Sequence, residues 1–357
     1  MLKICLVILI LSFGVLNLTQ TQGDDPNTAQ PIPIMTGEID PVNLQWLDEG
    51  LQLTFLDGTR LGRYVPLEVE PENWYLFDTE QQILSRSNRW PAQPDIPSTL
   101  VNDIEPTAVA FLSPDNRYLI YASRFQPGPN GDEGFIKIYD YQTGLTLDTG
   151  IPVGISIRSV GLSGLIWGGN GRFVLSITPS NVGLPTLPNL YYFDLSNGEV
   201  SVRQVVSIEL EDQPRRFSVV KIFDVSPDGL QVLMEGGFTG EGISYLAIWD
   251  AQTPNEITYI STTQVTDVDS LLDAQFTTSN GSEFVFFNNQ GVGRYNVPTD
   301  NLEILNNQVN AISYREAKFS PGAELLALAD EAAVYWLDLR LTQPVPTAAP
   351  TAAVSEP

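Results

Sequence analysis

Between residues 41 and 341 the apolar positions fall in short runs punctuated by polar turns, and no stretch keeps apolar residues at helical spacing. Runs of that kind, bounded by Gly, Pro, Asn, Asp and Ser, read as β-strands. The whole pattern is visible in Phe223–Thr253. An apolar run enters the turn Ser226-Pro227-Asp228-Gly229, and a second run, Leu230–Met234, leaves it. A Gly-rich loop then leads to a third run ending on Trp249-Asp250. Proline presets φ for such a turn, Asp bonds its own backbone, and Gly accepts positive φ.

Six copies of this pattern follow one another. The turns are Leu47-Asp48-Glu49-Gly50, Ser113-Pro114-Asp115-Asn116, Gly169-Asn170-Gly171, Ser226-Pro227-Asp228-Gly229, Thr278-Ser279-Asn280-Gly281 and Ser320-Pro321-Gly322. After them come the strands LQLTFL, YLIYAS, FVLSIT, QVLMEG, EFVFFN and LLALAD. The third strands end on Phe77-Asp78, Tyr139-Asp140, Phe193-Asp194, Trp249-Asp250, Tyr295-Asn296 and Leu337-Asp338. Successive Asp or Asn positions lie 62, 54, 56, 46 and 42 residues apart, near the period of propeller blades.

These units resemble the WD-like repeats of bacterial β-propellers, including the Tol-system periplasmic propeller, over roughly residues 41–341. The resemblance implies blades of four antiparallel strands around a central channel. No Gly-His precedes the units, so the buried His-Asp network of stricter WD repeats cannot form. The fold expected is all-β, a six-bladed β-propeller, with seven blades as the alternative. The sixth unit ends near Leu341 without an outer strand. Ala29–Met35 is suited to supply it, because Pro31 and Pro33 withhold their missing N–H groups on one side, as an edge strand tolerates.

Flanking segments suggest location. Lys3 followed by the apolar run Ile4–Leu18 reads as an export signal over 1–23, since the run is short of the roughly 20 residues a bilayer span needs. The propeller is then expected over 24–342, and 343–357 is a Pro/Ala/Thr-rich tail without periodicity. The body is expected outside the cell or in the cell envelope.

The chain has net charge −25, which repels nucleic acid and anionic membrane surfaces. It contains no histidine, and Cys5 is its one cysteine. Imidazole-based catalysis, a thiol nucleophile in the folded part and a disulfide are thereby excluded. No cofactor, metal or catalytic residue is expected. Asp267, Asp269 and Asp273 lack the spacing of a calcium loop. Lys137 and Lys318 lack the Ser-x-x-Lys spacing of an amine base.

The connections between second and third strands vary far more than the turns. They run Asp57–Asn73, Arg124–Gly134, Thr178–Asn189 and Gly236–Ser244 in the first four units and are short in the last two. Elaborated loops on a rigid scaffold commonly carry binding. Arg60, Arg63, Tyr64, Arg124, Phe125 and Phe238 are therefore the candidate contacts for a protein or glycan ligand. The resulting expectation is an exported, monomeric, non-catalytic binding module. The alternative is a secreted carbohydrate-active hydrolase using loop carboxylates such as Asp132, Glu133, Glu241, Glu68, Glu70 and Glu72.

Overall fold

The structure, a computed structural model, describes residues 29–36, 41–47, 52–57, 74–87, 96–105, 110–128, 131–154, 162–177, 189–204, 208–209, 216–238, 244–254, 257–260 and 271–341. Among these it is all-β, with two short 3-10 turns, and no helix is long and apolar enough to cross a membrane.

Strand β1 (Ile32–Thr36) precedes six separate antiparallel sheets. The first holds β2 (Pro41–Leu47), β3 (Gln52–Asp57), β4 (Trp74–Asp78) and β5 (Ile83–Ser87). In the second are β6 (Phe111–Leu112), β7 (Tyr118–Ala122), β8 (Gln126–Gly128), β9 (Gly131–Asp140) and β10 (Leu145–Gly154), with β8 paired beside the main path. The third has β11 (Leu162–Trp167), β12 (Arg172–Ile177), β13 (Asn189–Asp194) and β14 (Ser201–Gln204). In the fourth, a two-residue strand β15 (Ile208–Glu209) flanks β16 (Arg216–Val225), β17 (Gln231–Phe238), β18 (Tyr245–Asp250) and β19 (Ile257–Tyr259). The fifth comprises β20 (Asp273–Phe276), β21 (Glu283–Asn288), β22 (Gly291–Asn296) and β23 (Asn301–Asn306). The last has β24 (Glu316–Phe319), β25 (Leu325–Ala329) and β26 (Ala333–Asp338), and β1 completes it by pairing β26.

The expected strands are found where the turns placed them, and each third strand ends on the expected Asp or Asn. Those residues end their strands for a local reason. Their side-chain oxygens accept the backbone N–H of a residue two or three positions on: Gln142 to Asp140, Ser196 to Asp194, Gln252 to Asp250, and Thr299 to Asn296. The turn serines act over five residues. Ser226 Oγ accepts Gln231 N–H at 2.9 Å and Ser320 Oγ accepts Leu325 N–H at 3.0 Å, tying the turn to the strand that follows. Gly229 has φ +75°, as the turn requires, and a Cβ there would come 2.6 Å from Gly169 O in the neighbouring sheet.

Why the second strands are apolar on both faces is plain from the packing. In β21, Phe284 and Phe286 join a core shared with sheet four, while Val285 and Phe287 face sheet six. In β25, Leu326 and Leu328 face sheet five, while Leu325, Ala327 and Ala329 face sheet one. The same alternation divides Val232 and Met234 from Leu233, and Phe173 and Leu175 from Val174. A sheet covered on both faces needs a continuous apolar run in place of in-out alternation. Each such strand therefore joins two cores. The outward face of β7, Leu119 and Tyr121, is covered instead by Leu100 and Ile104.

Two of the expected long loops are partly strand. In Arg124–Gly134, β8 pairs the start of β9, and β17 extends to Phe238 before its turn.

Candidate functional site

Five sheets send their innermost strands to one place. Leu44 and Trp46 of β2, Leu165–Trp167 of β11, Phe223 and Asp224 of β16, Ala274 and Gln275 of β20, and Lys318 and Phe319 of β24 line a cavity of about 260 Å³, with Pro321 at its edge. It is small for an organic-ligand site, which usually spans about 300–1,000 Å³. Its walls are mostly apolar and aromatic, and Asp224, Gln275 and Lys318 supply the polar groups.

A bulge places the first of these. The register of β16 against β17 shifts between Ile222 and Asp224, and an extra residue of this kind re-aims the side chains beside it. Phe223 goes into the core with sheet five, while Asp224 lines the cavity and accepts Phe276 N–H at 2.8 Å through Oδ2. The same construction recurs round the axis. Asp273 Oδ2 accepts Phe319 N–H and Glu316 Oε1 accepts Leu44 N–H, each at 2.8 Å. Carboxylates thus fasten the inner strand of sheet four to five, five to six, and six to one. Trp46 adds to the last joint by donating its indole N–H to Lys318 O at 2.8 Å. With its amide nitrogen turned towards them, Gln275 donates to Ser320 O and Phe319 O.

Lys318 Nζ lies 3.3 Å from Asp273 Oδ1. Asp273 raises the ammonium's pKa against the opposing effect of burial, so Lys318 stays charged. Its side chain keeps 43% of its exposure, so water reaches it. Burial pushes the Asp224 carboxyl up to about 7, against the Phe276 N–H and the Lys318 charge, which pull it down. Its partial exposure to the same water tempers that rise. Lys221 Nζ donates to Leu271 O and Leu272 O and sits 4.5 Å from the centre of the Phe223 ring, and burial lowers its pKa. The indole N–H of Trp167, on the cavity wall, is buried without a hydrogen-bond partner. An ionisable carboxyl, a fixed ammonium and two indoles around one space are equipped to hold a small organic molecule and to exchange a proton with it.

The loop residues singled out by sequence are placed differently. Arg60, Arg63 and Tyr64 lie outside the described residues, as do Glu68, Glu70, Glu72, Glu241, Asp267 and Asp269. Arg124 is exposed, with its N–H donated to Asp103 O. Phe125 is half-buried against the sheet-two core, its N–H donated to Glu105 Oε2. Phe238 packs on Tyr245 and Tyr259 of its own sheet, with ring centres 5.8 and 5.4 Å away. Asp132 and Glu133 lie in the paired stretch of β9. Phe125 thus packs on the core between sheets two and three and Phe238 on the core between sheets three and four, and none of the three lines the axial cavity. Sequence reasoning missed the axial residues. Their signal is a charged side chain two positions before the turn serine on an otherwise apolar strand, as Asp224 stands before Ser226 and Lys318 before Ser320.

No family model matches the chain, and no curated protein matches it. Solved structures that do resemble it are β-propellers or contain them. An oligogalacturonate lyase in complex with manganese is 13% identical, covering 87% of this chain and 98% of the other at a TM-score of 0.41. The β-propeller domain of the Trilobed protease from Pyrococcus furiosus is 12% identical over 84% of this chain and 82% of that one, at 0.39. The Dos1 propeller is 13% identical over 88% and 95%, at 0.36. The expectation of a non-catalytic chain is not upheld: oligogalacturonate lyases, which are enzymes, stand among the similar structures.

Proposed function

We propose that this chain is an exported six-bladed β-propeller that binds a small organic ligand in its axial cavity. One observation carries the reading: inner strands from five sheets converge on a single cavity with apolar walls and three convergent polar side chains. That combination is what small-molecule sites share. The run Ile4–Leu18 after Lys3 supports export. The net charge of −25 favours ligands other than nucleic acid. The test is ligand-induced thermal stabilisation across amines, carboxylates and polyols, repeated with the cavity filled by Leu165→Trp. A ligand that raises the midpoint of the parent and not of a normally melting Leu165→Trp variant supports the site. Equal stabilisation of both places binding elsewhere.

A second reading, catalysis on carbohydrate, is favoured by Asp224 and Lys318 facing the same cavity. A carboxyl pushed up to about 7 beside a fixed ammonium suits general acid–base chemistry near neutrality. Turnover of a glycoside by the wild type and its loss in Asp224→Asn would support this reading; turnover unchanged in Asp224→Asn would remove it.

A further inference from the structure

The charges around the axis do not cancel evenly. Lys318 is matched by Asp273 at 3.3 Å. Lys221 is turned to the carbonyls of Leu271 and Leu272 and to the face of Phe223. Glu316 takes the N–H of Leu44. Asp224 lines the cavity with a backbone N–H as its partner and no ion pair among the described residues. The cavity therefore offers one carboxylate that feels the Lys318 charge but is held in no ion pair among the described residues, beside the indoles of Trp46 and Trp167 and the aliphatic side chains of Leu44, Leu165 and Ile166.

Each ligand class meets this differently. A carboxylate would face Asp224 and the field of a −25 protein, and would have to draw Lys318 away from Asp273. A polyol would set many hydroxyls against a mainly apolar wall, leaving some unpaired and desolvated. A compact cation with a hydrocarbon surface meets neither obstacle, and the Lys318 charge that opposes it is already matched by Asp273. Aromatic rings attract such cations by their quadrupoles, and a carboxylate supplies the countercharge.

We propose that the axial cavity takes a small organic ammonium ion, its charge against Asp224 and its alkyl groups against Trp46 and Trp167. This rests on the reading that the axial cavity is the ligand site. It goes further by naming the ligand's chemistry and by making binding depend on pH. Asp224, at about 7, is partly protonated near neutrality. A cation favours the ionised form, so binding below that pH expels a proton. The other titratable groups facing Asp224 are Asp273 from sheet five, which raises it, and Lys318 from sheet six, which lowers it. Lys221 and Glu235 lie nearby on sheet four, and Glu316 lies beyond Lys318. Strands β2 and β11 contain no titratable side chain.

The experiment is titration calorimetry of the full chain with tetramethylammonium, whose charge does not change with pH, and with butyrate and myo-inositol for comparison. Tetramethylammonium is expected to bind about tenfold more tightly at pH 8 than at pH 6, the ratio of ionised Asp224 at the two values. Asp224→Asn, whose amide oxygen still accepts Phe276 N–H, is expected to lose both the pH dependence and about tenfold in affinity. Trp167→Phe, with Asp224 intact, is expected to weaken binding while keeping the pH dependence. Tetramethylammonium binding that is flat with pH and unchanged in Asp224→Asn overturns the proposal. Butyrate or inositol binding that is lost in Leu165→Trp, with no tetramethylammonium binding, overturns the ligand class and leaves the site standing. Failure of all three probes, with other ligands equally bound by the Leu165→Trp variant, overturns the site as well.

Discussion

The aspartates at the ends of the third strands and those on the innermost strands use the same carboxylate for opposite ends. Asp140 and Asp194 sit at turns. Burial alone would raise them, but Arg117 and the N–H of Gln142 hold Asp140 below the usual carboxylate range, and Ser196 with Arg172 does the same for Asp194. Asp224 sits at the axis, where burial outweighs one N–H and a neighbouring ammonium and carries it well above that range. At the turns, partners within a hairpin stabilise a charge. At the axis, a carboxylate joins separate sheets and keeps part of its bonding capacity for whatever enters the cavity.

The largest effect expected from breaking this contrast is at Asp273. Asp273→Ala leaves Lys318 without its partner and Phe319 N–H without its acceptor. Such losses cost about 3–5 kcal/mol when fully buried. The 43% exposure of the Lys318 side chain reduces that to about 2–3 kcal/mol, measurable from urea unfolding. Asp194→Ala, which removes the Arg172 contact at 3.0 Å and the Ser196 bonds, is expected to cost about 1–2 kcal/mol. An equal or larger loss at Asp194 would erase the distinction between turn and axis.

The pH dependence sharpens the contrast with a smaller signal. Asp224 is raised on folding, so the native state binds more protons between about 4 and 7, and stability falls as pH rises through that window. Asp224→Asn should therefore melt above wild type at pH 8, with the gap closing towards pH 4. Asp140 and Asp194 are lowered, so their contribution is complete above about 4 and is lost as pH falls through their folded values. Asp194→Ala should thus lie furthest below wild type at neutral pH and converge with it in acid. The smallest change is Trp46→Phe, which keeps an aromatic ring but gives up part of the indole's bulk and loses the bond to Lys318 O, at about 1 kcal/mol.

The same contrast explains what was legible in the sequence. A strand-ending Asp or Asn bonds a residue two or three positions ahead, and in four units a turn Ser or Thr bonds one five ahead, so local spacing marks the ends of the second and third strands. The axial bonds join residues far apart: Asp224 to Phe276, Asp273 to Phe319, and Glu316 to Leu44 across 272 positions. Local spacing marks Asp224, two places before Ser226, but not the partner it reaches. Loop length pointed instead to Arg124, Phe125 and Phe238, which do not line the axial cavity. The bulge that aims Asp224 depends on a register between two strands, which apolar periodicity does not record.

Strand β1 lies against β26, with Ile32 opposite Trp336 and Pro33 opposite Tyr335. The earliest strand to leave a ribosome is thus the last to be matched, after some 300 further residues exist. Until then β26 has no neighbour on its outer side, and a chain cut short before it cannot finish its last sheet. The joint makes complete synthesis a condition of closure, and prolines 31 and 33 keep the waiting strand a poor template for other chains.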